Sequence, residues 1–336
     1  MTEQILQKIN QILKKADFET LSLENFASEK NKFCFDLLVK KNNLFFSVKV
    51  FPNIDNLNPD IIKDLKSLSI LLKSKPILIG IRNRYNRLEE NTIYIREDLP
   101  FISLHTLENI FNNQKYPYIL AKRGGGVIFL DGDLMKTLRE KLSISRKDLS
   151  DKLEVTKRTI CAYETENMRP SEKIANKICE ILQSNEIFKK INVFEWNIKF
   201  DFNQEEVPRE EELNEFESHI QSIINDIGIS AYWYKKGPIP FKLSLYSRKP
   251  SNTLDSDFYP LFSGLSEEQK KINELNLKCL RTFTNIFHKN SLFIINNNVK
   301  ISESLKKRSI PIVKIKDLEK IDDEDEFIEF IQESQK

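Results

Sequence analysis

The spacing of apolar residues changes period several times along this chain, and each change marks an element. Ile5, Ile9, Ile12 and Leu13 fall at helical spacing and predict an opening amphipathic helix. Residues 33–39 (FCFDLLV) and 44–51 (LFFSVKVF) are β-rich runs joined by the polar turn Lys40-Lys41-Asn42-Asn43, a predicted hairpin. A helix over residues 59–72 follows, then the apolar run 76–81 (PILIGI), which suits a buried strand. A basic loop with Arg82, Arg84 and Arg87 leads to strands at 92–95 and 100–104 and a short helix at 105–111. Residues 1–112 thus read as an α/β domain.

Residues 131–187 have a different rhythm. Leu134, Leu138 and Leu142 form one helical stripe, and Leu149 and Leu153 the next. Ser145, with Asp148 three residues later, is a variant of the capping box between them. Thr156 is the next cap candidate, ahead of inward-facing Ile160 and Tyr163. Pro170 stops that helix, Ser171 caps again, and Ile174, Ile178 and Leu182 give a fourth stripe. Four short helices with a tight break between the second and third is the helix-turn-helix plan, in which the third helix enters the DNA major groove.

At Leu138-Arg139, Arg146, Val155-Thr156, Ile160-Tyr163-Glu164 and Pro170 the stretch resembles the Cro and lambda-repressor class, the xre-type regulators. It departs from the pattern at Glu154 and Glu166, where the family often has Gly. By position, the resemblance implies that Lys157, Arg158, Cys161 and Ala162 face bases. Arg146 and Asn167 would hold phosphates, helped by Thr156, Thr159 and Arg169. Arg or Lys can donate two hydrogen bonds to guanine, so Lys157 and Arg158 at the helix start fit base reading. Against strong non-specific binding, residues 131–187 hold eleven Lys or Arg and eleven Asp or Glu. A module used only for protein contacts would carry the same helical stripes.

Residues 113–130 read as a linker, with Lys122-Arg123-Gly124-Gly125-Gly126 as a basic hinge; it lacks the Gly-Lys-Ser/Thr ending of a nucleotide-phosphate loop. Residues 188–227 read as a second linker and an acidic helix. Phe194, Trp196, Ile198 and Phe200 alternate as a half-buried strand would, and residues 201–217 hold eight acids against the single Arg209. The helix that follows buries Leu213, Phe216, Ile220, Ile223 and Ile224. From residue 228 the chain repeats its first domain. Residues 240–246 take the place of the first hairpin strand, with Lys242 where Asp36 stood. A long helix over 266–287 precedes the strand 291–295. LPFISLHTLENI (99–110) aligns without a gap with IPIVKIKDLEKI (310–321), sharing the Pro and the Leu-Glu pair. An acidic tail helix with Phe327, Ile328 and Ile331 closes the chain.

The first hairpin carries one enzymatic possibility. Asp36, followed on the next strand by Ser47-Val48-Lys49, resembles the PD-(D/E)XK nuclease core. That chemistry needs two carboxylates converging on Mg²⁺ and a nearby Lys. Ser47 stands at the second carboxylate position, so the reading is a cross-strand Asp36–Lys49 ion pair in a fold without cleavage: not an enzyme, no metal, no cofactor.

Composition adds limits rather than detail. Fifty-two basic against 50 acidic residues gives a formal charge of +2, no polyelectrolyte signal. No apolar run approaches the ~20 residues that span a bilayer. Four scattered cysteines without a Cys-x-x-Cys pair, and three histidines, argue against a disulfide framework or structural zinc and for reduced cytoplasmic thiols. The fold class is α/β plus all-α: a central lambda-repressor-like helix-turn-helix (131–187) between two restriction-endonuclease-like α/β domains (1–112 and 228–336). This arrangement resembles archaeal helix-turn-helix transcriptional regulators of about this length. The resemblance implies a sequence-specific regulator that binds double-stranded DNA as a homodimer, in the cytoplasm. The alternatives are a structure-selective protein or nuclease acting on branched DNA, and a protein-interaction module.

Overall fold

The computed structural model describes residues 2–22, 34–42, 44–122, 125–202, 213–235, 241–248, 258–266, 272, 274–299, 301 and 310–334. In chain order the first elements are α1 (Thr2–Lys15), β1 (Glu19–Ser22), β2 (Leu37–Lys41), β3 (Leu44–Asn53), α2 (Pro59–Leu71) and β4 (Lys75–Arg82). Then come β5 (Thr92–Arg96), β6 (Leu99–Ile102), α3 (Leu104–Asn113), β7 (Ile119–Lys122) and β8 (Gly125–Ile128). Four helices follow: α4 (Gly132–Lys141), α5 (Arg146–Leu153), α6 (Lys157–Glu164) and α7 (Glu172–Leu182). The remainder is α8 (Glu215–Ile227), β9 (Ser230–Trp233), β10 (Leu243–Tyr246), β11 (Leu261–Ser266), α9 (Glu274–Phe287), β12 (Ser291–Ile295), β13 (Ile312–Lys314), α10 (Ile315–Leu318) and α11 (Glu324–Glu333).

The chain divides into two compact units. Residues 1–17, 50–57 and 77–197 form the first; residues 18–49, 58–76 and 198–336 form the second. The first sheet runs β1-β2-β3-β4-β6-β5-β7-β8 and the second β13-β12-β11-β10-β9. Among the described residues no helix is long and apolar enough to cross a membrane.

The internal repeat is visible as topology. In each copy a helix leads into three antiparallel strands, β1-β2-β3 or β9-β10-β11. A second helix, α2 or α9, then leads to a parallel pair, β4 with β6 or β12 with β13. The registers correspond as well. The Asp36 amide donates to the Val48 carbonyl at 2.8 Å, and the Lys242 amide donates to the Ser263 carbonyl at 2.8 Å. Lys242 therefore does stand where Asp36 stands, and the counterpart of Lys49 is Gly264. That glycine is required by packing, because a Cβ there would lie 2.6 Å from the ring of Phe293.

Four expectations need correction. Residues 119–122 and 125–128 are not a hinge but the antiparallel hairpin β7–β8, with Ile119, Ile128 and Leu130 inside the helix-turn-helix core. Ile119, Leu120 and Ile128 of this pair are buried, which a hinge would not do. The aromatic run after residue 192 is not a strand: Val193–Glu195 is a short 3-10 turn. Its rings anchor singly, Phe194 against Phe111 and the Trp196 indole N–H on the Asp98 carbonyl at 2.9 Å. Residues 261–266 form strand β11, so the long helix begins at Glu274. In α4 the buried positions are Gly132, Met135 and Arg139, while Leu142 is exposed, because that face is built around a buried ion pair. Strand β1 had no clear sequence signal. Residues 33, 43, 123–124, 203–212, 240 and 267–271, which carried parts of these expectations, lie outside the described residues.

Candidate nucleic-acid interface

Each helix of the four-helix module starts on a side-chain cap. Asp131, Ser145, Thr156 and Ser171 accept the amides of Leu134, Asp148, Thr159 and Ile174. Such a cap contributes about 1 kcal/mol to its helix. At Ser145 the backbone amide donates in return to the Asp148 carboxylate, completing the capping box, and these contacts hold the Asp148 carboxyl below its ordinary value. The caps fix where each helix begins, and therefore which side chains the third helix turns outward.

Helix α6 has two faces. Ile160, Tyr163 and Glu164 are buried, while Lys157, Arg158 and Thr165 are exposed and Cys161 and Ala162 half-exposed. The spacing i, i+1, i+4, i+5, i+8 puts residues 157, 158, 161, 162 and 165 on one outward stripe. The four residues expected to face bases are thus brought together, with Thr165 as a fifth that the sequence reading missed. Its place four residues after Cys161 was the available signal. The Thr165 hydroxyl donates to the Cys161 carbonyl at 2.9 Å and accepts from Asn167 Nδ2 at 2.9 Å.

The buried face is organised by one carboxylate. Glu164 Oε1 accepts from Arg139 Nε at 2.5 Å, and Oε2 accepts from Arg146 Nε at 2.6 Å. Arg139 also donates to the Ile144 carbonyl at 2.9 Å. Glu164 therefore ties α4, α5 and the intervening turn to α6. Its hydrogen bond, and then its charge, raise the Arg146 guanidinium above its ordinary value. The Nε of Arg146 is thus committed to the fold, leaving its terminal nitrogens as the candidates for a phosphate.

Other expected backbone contacts lie around the same helix. Thr156 and Thr159 bond each other through their hydroxyls at 2.9 Å. Asn167 and Arg169 are exposed in the turn after α6, and the Arg169 guanidinium lies 3.7 Å from the centroid of the Phe129 ring. Glu154 and Glu166, the two departures from the family pattern, have φ of 57° and 58°. Both therefore adopt the left-handed conformation that glycine takes without strain. Glu166 has a compensating role: it pairs with Lys189 at 2.6 Å and accepts the Gly132 amide at 3.2 Å. Lys189 first, and that amide second, hold its carboxyl below the ordinary value.

The nuclease-like position is of another kind. Lys49 Nζ lies 2.8 Å from Asp36 Oδ1, and the two side chains are 6% and 9% exposed. Ser47 is buried and its hydroxyl makes no hydrogen bond among the described residues. A second carboxylate, which the sequence reading missed, comes from α2: Asp64 is buried, and its Oδ1 accepts from the Tyr232 hydroxyl at 3.0 Å. Cys34 registers the group electrically. Burial pushes its thiol well above its ordinary value, with Asp64 next in effect, then Lys49 in opposition and Asp36. A divalent ion wants six or more oxygen ligands, several of them waters. Here one carboxylate oxygen is held by an ammonium, the other by a phenol, and Ser47 adds no charge. The residues present do not fit a Mg²⁺ site.

The comparisons agree with this division. A PD-(D/E)XK superfamily domain model matches residues 2–117, and a helix-turn-helix model matches residues 135–187. A Methanobrevibacter smithii protein named "Putative HTH-type transcriptional regulatory protein" is 31% identical over 98% of this chain and 96% of its own length. A similarly named protein of Methanocaldococcus jannaschii is 27% identical over 96% of this chain and 97% of its own. One from Archaeoglobus fulgidus is 31% identical over 70% of this chain and 72% of its own. No solved structure matches the chain. With a nuclease-like domain followed by an xre-type reading head, and similarity along nearly its whole length, the chain belongs to this archaeal family of HTH-type transcriptional regulatory proteins.

Proposed function

We propose that this chain is a sequence-specific transcriptional regulator that reads the major groove with helix α6. The observation that carries the reading is the outward stripe of Lys157, Arg158, Cys161 and Ala162, opposite a face locked by the Glu164 ion pairs. In this reading Lys157 and Arg158 donate to base edges, and Cys161 and Ala162 make the apolar contacts. Arg146, Thr156, Thr159, Asn167 and Arg169 hold the phosphates on either side. The names of the relatives point to the same class. The reading head spans 131–187 between two nuclease-like bodies, and the regulator acts in the cytoplasm as a homodimer on half-sites about one helical turn apart. The nuclease-like bodies are scaffold, not enzyme, because Asp36 and Asp64 are spent on Lys49 and Tyr232.

The test is a selection from random duplex DNA at near-physiological salt, run beside Arg158→Ala. A half-site-repeated sequence that the variant loses, with a penalty of about 1–3 kcal/mol, supports the reading. No enrichment, with equal weak binding by both proteins, would discard it. Sedimentation with and without the selected duplex decides the dimer.

A further inference from the structure

The strand β4–β5 connection in the first compact unit carries Arg82, Arg84 and Arg87, and the reading head makes no use of them. Arg82, Arg84, Tyr85, Asn86 and Arg87 are all exposed, Tyr85 at 82% the most exposed large apolar side chain among the described residues. The Arg84 guanidinium lies 5.8 Å from its ring centroid. Apart from that one cation–π contact, an aromatic ring left in water gains little in the folded monomer.

This tip is nevertheless held firmly. Asn83 Oδ1 accepts the amides of Tyr85 and Asn86 at 2.9 and 2.6 Å. Arg82 and Arg87 bridge antiparallel, and the Leu88 amide donates to the Ile81 carbonyl at 3.1 Å. Asp55 Oδ2 accepts the Arg84 amide at 2.7 Å while its Oδ1 accepts Arg96 Nε at 2.6 Å. Leu88 is buried beneath, in space that exists because residue 80 is glycine: a Cβ there would lie 2.4 Å from Leu88 Cδ1. The acids that follow are Glu89 and Glu90, and Glu90 is engaged by Asn109. A stiff, basic, aromatic tip loses little entropy on binding, which favours a partner.

Strand directions place it. Thr92, where the connection ends, lies opposite Ile119 in the parallel β5–β7 pair. Ile119 lies opposite Ile128 in the antiparallel β7–β8 pair, and Asp131, the cap of α4, follows three residues later. The tip and the chain's passage into the reading head are therefore at the same end of the same strands. The tip folds back on the end of β4, and from β4 to β8 is four strand spacings, about 19 Å, inside the ~34 Å length of one duplex turn.

We propose that residues 82–87 are a second DNA contact: the three arginines grip phosphates flanking the sequence read by α6, and Tyr85 packs against the sugar-phosphate edge. This rests on the regulator reading above and adds a contact that sets affinity and footprint without reading bases.

The test uses the full chain, comparing Arg84→Ala/Arg87→Ala and Tyr85→Ala with the unaltered protein and with Arg158→Ala. Arg84 meets Asp55 through its amide, so the substitutions leave that anchor in place; an unchanged unfolding midpoint checks this. On the selected site with long flanks, the arginine double variant should bind about tenfold more weakly. Its log K against log salt slope should be shallower by about 2, two phosphates at ~0.9 each. The selected sequence should be unchanged, and the loss should vanish on a duplex trimmed to the recognition site. Equal affinity and equal slope on the long duplex would overturn the proposal, including if the tip instead serves an acidic protein surface. If no sequence is selected at all, the regulator reading fails separately. The same comparison on unselected duplex at low salt then decides the tip alone: weaker binding upholds it, equal binding overturns it.

Discussion

The Tyr232 hydroxyl donates to Asp64 Oδ1 at 3.0 Å, joining residues 168 positions apart. Tyr232 belongs to the second α/β copy and Asp64 to the helix of the first, within one compact unit. Two more contacts run the same way: Lys40 Nζ donates to the Ile286 carbonyl at 2.8 Å, and Phe45 packs on Phe287 at 5.5 Å between centroids. The buried Tyr234 adds its hydroxyl, bonded to Ser244 at 2.8 Å, and burial drives that phenol far above its ordinary value. The repeat thus acts as an internal pair, in which strands of each copy touch a helix of the other.

If the Asp36–Lys49 pair is structural, Asp36→Ala should destabilise the protein by about 3–5 kcal/mol, the cost of leaving a buried ammonium uncompensated. Asp36→Leu/Lys49→Met should recover most of that loss, since apolar replacement of a buried pair is near neutral. Denaturant unfolding compares the three proteins. The unaltered chain should not cut branched duplex with Mg²⁺; cutting that Asp36→Ala abolishes would reverse the assignment.

Stability and reading should separate on α6. Glu164 is 5% exposed and compensates Arg139, also 5% exposed, so Glu164→Ala should cost about 3–5 kcal/mol. Arg158→Ala should leave the unfolding transition within about 0.5 kcal/mol of the unaltered chain while removing sequence preference. Equal damage to stability by both would mean that Arg158 has a buried role.

Much of this was legible in the chain. The helix-turn-helix could be read because its caps and apolar stripes act within a few residues: Ser145 with Asp148, Thr156 with Thr159, Ser171 with Ile174. The repeat was legible from Pro100 and Pro311 opening matching strand-helix ends. What stayed hidden depends on partners distant in sequence. Asp64 looks like any polar helix residue until Tyr232 meets it. Arg139 looks exposed until Glu164 buries it, which shifts the α4 stripe off Leu142. The glycines near residue 125 suggested a hinge because composition does not show that Ile119 and Ile128 sit in the helical core.

Gly132 is fixed by close approach. A Cβ there would lie 2.1 Å from the Glu164 carbonyl oxygen, a backbone atom of α6 that cannot swing aside. Gly132→Ala should therefore separate α4 from α6, costing about 1–3 kcal/mol by overpacking and weakening DNA binding in parallel. Unfolding and binding measured on one preparation check both. A neutral effect would show that α4 can slide along α6.

The two left-handed glutamates should respond oppositely to glycine. Glu154→Gly relieves a left-handed residue whose side chain makes no hydrogen bond or ion pair among the described residues, so it should raise stability by about 0.5–1 kcal/mol. Glu166→Gly gains the same relief but gives up Lys189 and the cap on the Gly132 amide, so it should be neutral or destabilising. Thermal melts of the two variants test the contrast; equal gains would show that the Glu166 contacts contribute nothing.

Asp55 gives a pH dependence with a definite sign. Burial works against its ionised form, but the Arg84 amide and then the Arg96 guanidinium outweigh it, and the carboxyl is held below its ordinary value. A carboxyl depressed in the folded state adds stability that is complete above its unfolded value, roughly pH 4. That stability is lost as pH falls through the lower folded value. Asp55→Asn removes the charge, so the unaltered chain should exceed it by about 1 kcal/mol from pH 5 to 8, a modest figure because the pair is partly exposed. Below pH 4 the gap should close. Melting both proteins from pH 8 down to pH 2 decides it: a gap undiminished across that whole range would mean that the contact does not depend on ionisation. If the gap tracks Asp55, the tip at residues 82–87 should also loosen in acid, visible as faster hydrogen exchange at the Arg84 amide.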